Sequence, residues 1–243
     1  MPSFGVILAA AGQSRRFGNR TEKKPFISLQ GKAVWLYSAE LFRRRSDVTK
    51  IVLVVSPTDR QIVKDRFEAN LALSDIALVD GGDERFDSVA AGLRAIGDEV
   101  DYVAVHDAAR PCVQAEHVDL VFKSAIECGA AILGVPVHAT LKKTNADKQI
   151  QETIDRTDMW LAQTPQVAKR EWLQEAYDQR GDLQSTDEAQ LLERAGRAVS
   201  MVEGSPLNLK LTTPTDMKLA KMALEQQAKV DHLGLLSPDL GRD

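Results

Sequence analysis

The sequence predicts an α/β fold, a doubly wound and mostly parallel sheet with a protruding β-hairpin arm. Short β-branched apolar runs alternate with amphipathic stretches of helical period, and each of three polar clusters directly follows one of those runs. One stretch, residues 138–160, breaks the rhythm with two alternating segments around a turn.

Val6 to Ala11 is an apolar run of strand length that stops at Gly12, with Arg15, Arg16, Lys23 and Lys24 behind it. That order describes a buried strand opening into a basic loop. Small residues at Ala9, Ala10, Ala11 and Gly12 permit close approach of backbone N–H groups to a ligand, and the cations suit a polyphosphate. A strand followed by a glycine turn is common in α/β proteins, so this loop alone leaves a phosphate cradle and an ordinary turn both open. Neither G-x-G-x-x-G nor G-x-x-x-x-G-K-[ST] occurs, which argues against a dinucleotide dehydrogenase and a P-loop ATPase.

Val34 to Arg45 has helical spacing, Ile51 to Val55 is a β-branched strand closed by Ser56-Pro57, and a polar helix is expected from about Asp59 to Asn70. Ile76 to Val79 is a short strand ending in Asp80-Gly81-Gly82-Asp83-Glu84-Arg85. A helix follows from about Phe86 to Ile96, with Val89, Leu93 and Ile96 on its inner stripe. Tyr102 to His106 is a fourth strand, ending in Asp107-Ala108-Ala109-Arg110-Pro111; a helix at about 115–127 and a strand from Ala131 to Val137 complete the regular part. In such sheets crossovers are right-handed and ligands bind beyond the carboxyl ends of the strands. The clusters Gly12–Lys24, Gly81–Ser88 and Asp107–Arg110 are therefore expected to converge on one crevice.

Thr140 to Thr144 and Gln151 to Arg156 flank an Asn145-Ala146-Asp147-Lys148 turn, the signal of a hairpin. Its exposed edges need a cover, so a homodimer through this arm is expected, with a free-standing substrate lid as the alternative. Next come a connection through Gln163-Thr164-Pro165-Gln166, a helix from Arg170 to Gln179, and a helix start at Ser185–Ala189. There capping by Ser185 or Thr186 with Glu188 would suffice as an explanation. A strand at Val199–Val202 and a helix from Pro214 to about Lys229 follow. Residues 1–230 are expected to form one domain and 231–243 a C-terminal tail.

With 243 residues, 44% of them hydrophobic and 27% charged, the composition is that of a globular protein. A net charge of −4 argues against bulk binding of nucleic acid, so the basic loop must act locally on a small anion. Cys112 and Cys128 are too few for a disulfide framework or a zinc site, which suits a reducing cytoplasm. No run of about 18 apolar residues suggests a membrane span. There is no G-x-S-x-G elbow and no Cys–His pair for acyl chemistry, and His106, at a strand end, reads as a hydrogen-bonded core residue. Asp107 directly follows a buried strand, where a carboxylate is costly unless it is paired, as with Arg110, or placed near Mg²⁺ and phosphates. Asp83, Asp87 and Ser88 either cap the third helix or, with Gly81-Gly82, let backbone approach a flat base.

Leu8–Gly12 with Arg15-Arg16 and Lys24, Asp80–Val89, and above all Val105-His106-Asp107-Ala108-Ala109-Arg110-Pro111 resemble the 2-C-methyl-D-erythritol 4-phosphate cytidylyltransferases. Val135-Pro136-Val137, Thr140, Thr153–Arg156, Thr164-Pro165-Gln166, Thr186–Ala189 and Asn208-Leu209-Lys210 extend the resemblance over roughly residues 4 to 225. It implies a Rossmann-like nucleotidyltransferase fold and a cytoplasmic homodimer that joins CTP to methylerythritol phosphate, with Mg²⁺, in non-mevalonate isoprenoid biosynthesis. It further implies Arg16, Lys24, Arg156 and Lys210 as catalytic side chains, the first two at the α-phosphate. Ala10, Ala11, Gly12, Gly82, Asp83, Ser88 and Ala108 would hold CTP. Asp107, Arg110, Thr140, Thr164 and Thr186 would hold the acceptor, with Asp107 also toward the metal and with Arg156 and Thr140 reaching from a second copy's arm. Lys24 rather than Lys23 follows from the register of Phe26–Gly31. Ser14, Lys23-Lys24-Pro25 and His138-Ala139 depart from the usual Gly, Pro-Lys-Gln and Arg-Asp. The rival readings are a ribitol 5-phosphate cytidylyltransferase, disfavoured by Ala109 and by Thr186–Ala189, and a non-catalytic nucleotide-binding subunit, disfavoured by retention of both Arg16 and Lys24.

Overall fold

The computed structural model describes residues 1–12 and 23–234, with side chains as far as residue 227. Its centre is a seven-stranded sheet of order β11-β7-β10-β6-β1-β4-β5. The strands are β1 (Phe4–Ala9), β4 (Val48–Val55), β5 (Ile76–Asp80), β6 (Tyr102–Asp107), β7 (Ala130–Pro136), β10 (Trp160–Lys169) and β11 (Ser200–Glu203). β1 pairs in parallel with β4 and β6, and β4 with β5. The chain thus runs from β1 outward to β5 and returns to β6 on the other side of β1, which puts a topological switch point between β1 and β6.

Alternation along the strands explains the layers. Val6 and Leu8 face one side, packing with Trp35, Ala39 and Phe42 of α1 (Val34–Arg43), Phe67 of α2 (Arg60–Leu73) and Phe122 of α4 (Ala115–Cys128). Ile7, Val52 and Val54 face the other side, against Val89, Leu93 and Ile96 of α3 (Arg85–Ile96), Leu173 of α5 (Arg170–Asp178) and Leu191 of α6 (Glu188–Arg194). Strands buried on both faces need apolar residues at every position, which is why these runs read as continuous rather than alternating.

Three elements differ from the sequence expectation. Gln163–Gln166, expected as a connection, lies within β10, a ten-residue strand antiparallel to both β6 and β7. Pro165 hid it, since proline is disfavoured within a sheet; the ladder to β7 shifts register between Ala162 and Gln166, a break of the kind that admits proline. A small hairpin of β2 (Ser28–Leu29) and β3 (Lys32–Ala33) turns on Gln30 and Gly31, both at positive φ, after a short 3₁₀ turn at Lys24–Phe26. The last helix, α7 (Pro214–Gly234), runs beyond Lys229 into the segment expected as a tail.

The arm is a separate two-stranded sheet, β8 (Leu141–Thr144) and β9 (Ile150–Ile154). Its turn is closed by Asn145, whose side chain accepts from the Gln149 N–H at 2.9 Å. At its base Met159, Trp160 and Leu161 are exposed. Among the described residues no helix is long and apolar enough to cross a membrane.

Candidate active site

The strand ends at the switch point open into a cleft of about 640 Å³, within the range of small-molecule sites. Backbone bonds continue the sheet into its floor: the Ala10 N–H donates to Val54 O, Gly81 to Val55 O and Ala108 to Ala9 O. From the first loop come Ala10, Ala11, Gly12 and Lys24, from the second Gly82, Asp83 and Ser88, and from the third Asp107. Lys210 closes the wall from the segment before α7. The three clusters do meet in one crevice.

Gly81 and Gly82 have a cause within the chain. A Cβ on Gly81 would stand 2.5 Å from Ser88 Oγ and 2.8 Å from Ala11 Cβ, and one on Gly82 would stand 2.4 Å from Asp87 Cβ. The atoms that crowd these glycines are therefore side-chain atoms of Asp87 and Ser88 on α3 and of Ala11, whatever ligand lies above them. Ser88 does not cap its helix; its hydroxyl donates back to Glu84 O at 3.1 Å, and the N-cap residue Glu84 makes no side-chain capping bond. Glu84, Arg85 and Ser88 of that end line the cleft, and a helix N-terminus is a favourable place for an anion.

The choice between Lys23 and Lys24 has a structural basis. Lys23 Nζ lies 2.6 Å from Asp59 Oδ2 and donates to Ser56 Oγ at 2.8 Å, on the outer side of β4's end, whereas Lys24 lines the cleft.

Asp107 is both paired and central. Only 7% exposed, its Oδ2 lies 2.9 Å from Lys210 Nζ and 3.2 Å from Arg110 Nε, and its Oδ1 lies 4.0 Å from Arg85 Nε. Burial pushes the carboxyl upward, but Lys210, Arg85 and Arg110 together outweigh that and hold it well below the usual carboxylate range. Arg110 also donates to Asn208 O at 2.8 Å, so its guanidinium braces the third loop against the Lys210 segment.

His106 is buried, as its place at a strand end implied. Arg110 O at Nε2 can only accept, which leaves Nδ1 as the acceptor of the Thr164 hydroxyl, 3.1 Å away, whose oxygen in turn accepts the Asp107 N–H at 3.0 Å. Nε2 then carries the imidazole proton, between Ser38 Oγ at 3.1 Å and Arg110 O at 3.2 Å. Burial pushes its pKa down to about 4, so the ring is neutral at physiological pH.

Other site residues expected from the sequence are not on the cleft wall. Arg16 lies outside the described residues. Ala108 is fully buried just beneath the wall, where Ala109 emerges. Thr164 is buried and occupied with Asp107 and His106. Thr186 is exposed beside α6; its N–H donates to Gln190 Oε1 at 2.9 Å, and the cap of that helix is Asp187, accepting from Gln190 N–H at 3.1 Å, rather than Ser185 or Thr186. Thr140 and Arg156 are exposed at the base of the arm, where Leu141 pairs with Ile154.

Sequence reasoning missed Arg85 and Glu188. Both Nη atoms of Arg85 reach Glu188, at 2.6 and 2.8 Å from its two oxygens, a bidentate pair bridging 103 positions. Glu188 had been explained by capping alone, and no local pattern announces so distant a partner.

The family model for 2-C-methyl-D-erythritol 4-phosphate cytidylyltransferase matches residues 4–226. The enzymes of that name from Rhodopirellula baltica and Geobacillus kaustophilus are 38% and 40% identical, covering 92% and 91% of this chain and 96% and 97% of theirs. A crystal structure of 4-diphosphocytidyl-2C-methyl-D-erythritol synthase from Anaerococcus prevotii superposes with a TM-score of 0.77 at 27% identity, covering 92% of this chain and 96% of that one. With the cleft at the switch point, the cations around it and a match over nearly its whole length, the chain belongs to the 2-C-methyl-D-erythritol 4-phosphate cytidylyltransferase family.

Proposed function

We propose that the chain transfers a cytidylyl group from CTP to 2-C-methyl-D-erythritol 4-phosphate, giving CDP-methylerythritol and pyrophosphate for isoprenoid biosynthesis, and that it works as a cytoplasmic homodimer. The observation that carries this reading is the cleft: small-residue backbone and Ser88 on one side, Lys24 and Lys210 on the other, in a chain of this family.

The acceptor phosphate is a monoester whose second pKa is about 6, so it is already ionised at neutral pH and needs no general base. A fully buried His106, both of whose ring nitrogens are engaged within the chain, suits a site in which no side chain abstracts a proton. The remaining task is to hold two anions together and to offset charge at the α-phosphorus. Lys24 would act there with Arg16. Lys210, 44% exposed, would bind phosphate while Asp107 holds its ammonium group and Arg110 braces its segment at Asn208 O.

The donor set fits a Mg²⁺ shared with the substrates. Among the described residues no three His, Cys, Asp or Glu side chains gather at one point, so most ligands would come from phosphates and water, as is usual for this ion. Asp107 Oδ1, beyond hydrogen-bond distance of Arg85, is the protein oxygen suited to it. Bound Mg²⁺ would neutralise phosphate charge.

Dimerisation draws support from the arm: its two exposed strands and the apolar Ile150, Met159, Trp160 and Leu161 are costly in water. Arg156 of one copy would then reach the acceptor phosphate in the other. Pyrophosphate release from CTP, Mg²⁺ and each polyol phosphate tests the substrate; methylerythritol phosphate should be required, and equal or faster turnover with ribitol 5-phosphate would overturn the assignment.

A further inference from the structure

Glu188 is 2% exposed at the first turn of α6. A buried carboxylate needs strong partners, and this residue is held in three ways, two of them at its carboxylate. It takes both Nη groups of Arg85, it accepts the Tyr177 hydroxyl at 3.2 Å, and its own N–H donates to Gln166 Oε1 at 3.0 Å. Arg85 lies on α3, Tyr177 on α5 and Gln166 on β10, so Glu188 ties α6 to two other helices and to the sheet at once. Arg85 lines the cleft and turns its Nε toward Asp107 Oδ1 at 4.0 Å. Asp107 in turn holds Lys210 Nζ at 2.9 Å. The contacts run in the order Glu188, Arg85, Asp107, Lys210.

We infer that Arg85, clamped by Glu188, is a positioning residue that sets Asp107 and through it the ammonium group of Lys210 for the substrates' phosphates. The inference rests on the proposed function for the identity of those substrates, but the charge relay itself is a property of the cleft. Its geometry separates two effects of opposite sign. Glu188 is an anion behind an anion-binding site, so by Coulomb's law alone its neutralisation should strengthen phosphate binding. If Glu188 acts by holding Arg85 in place, neutralisation should weaken binding and slow turnover, because a misplacement of about 1 Å can cost about 100-fold.

The test is a double-mutant cycle of Glu188→Gln and Asp107→Asn, read by kcat/KM and by calorimetric binding of inorganic pyrophosphate, with folded fraction checked by circular dichroism. Glu188→Gln alone should lower kcat/KM by about 10- to 100-fold and weaken pyrophosphate binding. In the Asp107→Asn background the same change should cost less than about 3-fold, because the residue through which it acts is gone. Additive effects, or tighter pyrophosphate binding in Glu188→Gln, would overturn the inference. If Glu188→Gln does not fold, Tyr177→Phe, which removes one hydrogen bond and no charge, takes its place in the cycle, with an expected loss of about 5-fold. Pyrophosphate binding that shows the predicted coupling across the cycle, in a protein that turns over no methylerythritol phosphate, would refute the substrate assignment and leave the positioning role standing.

Discussion

Protonating His106 should cost the protein a defined part of its stability. In the folded chain the ring is enclosed, with Nδ1 accepting from Thr164 and Nε2 between Ser38 and Arg110 O. Its pKa falls from 6.5 to about 4. The unfolded chain therefore binds a proton more readily, and stability rises with pH wherever the two states differ. The contribution is fully present above pH about 6.5, declines as pH falls toward 4, and is lost below that. A difference of about 2.5 pH units at 1.36 kcal/mol each gives about 3 kcal/mol. That is a large share of the typical stability of a domain. Urea unfolding followed by circular dichroism between pH 4 and 7 measures it, in wild type and in His106→Gln. The variant should be less stable at pH 7 and should lack one proton's worth of pH dependence in that window. Should the variant not fold, the imidazole NMR titration of wild type gives the midpoint directly. Equal slopes in the two proteins, or an NMR midpoint near 6.5, would refute the argument that burial keeps this ring neutral.

Other consequences concern the cleft, the arm and the core. Lys24→Ala should reduce kcat by about 10²- to 10³-fold, and Lys23→Ala, whose side chain is engaged with Asp59 and Ser56, should stay within a few-fold of wild type; the reverse order would place the wrong lysine in the cleft. Chains carrying Lys24→Ala and Arg156→Ala, each nearly inactive alone, should recover about one quarter of wild-type activity when refolded together, since about half of randomly assembled dimers are mixed and each holds one intact site. Verified heterodimers no more active than their parents would exclude a shared site. Gly129 sits at φ +92° with the Trp172 ring 2.2 Å from a hypothetical Cβ, so Gly129→Ala should lower stability by about 2 kcal/mol or more, and an unchanged urea midpoint would contradict this.

Much of the fold and of the cleft was legible because both follow short-range rules. Runs such as Ile51 to Val55 and Tyr102 to His106 are buried on both faces and so remain apolar throughout, and the polar clusters after them mark strand ends. Those clusters led to Gly12, Lys24, Gly82, Asp83, Ser88 and Asp107, which the fold brings together. β10 was not legible, since its proline imitates a loop and the pairing that accommodates it lies on β6 and β7. Nor was the Arg85–Glu188 pair, whose members are neighbours only after α3 and α6 pack on the same face of the sheet. The side chains that crowd Gly81-Gly82 were not legible either, because sequence cannot say which neighbour approaches; the structure supplies Asp87, Ser88 and Ala11.

The most direct test of the central claim uses methylerythritol phosphate carrying ¹⁸O in its phosphate, turned over with unlabelled CTP and followed by ³¹P NMR. If the acceptor phosphate attacks the α-phosphorus in a cleft that merely aligns the two anions, the label will appear in the diphosphate of CDP-methylerythritol, including its bridging oxygen, and the released pyrophosphate will carry none. Label in the pyrophosphate, or release of pyrophosphate without a labelled diphosphate product, would contradict the account.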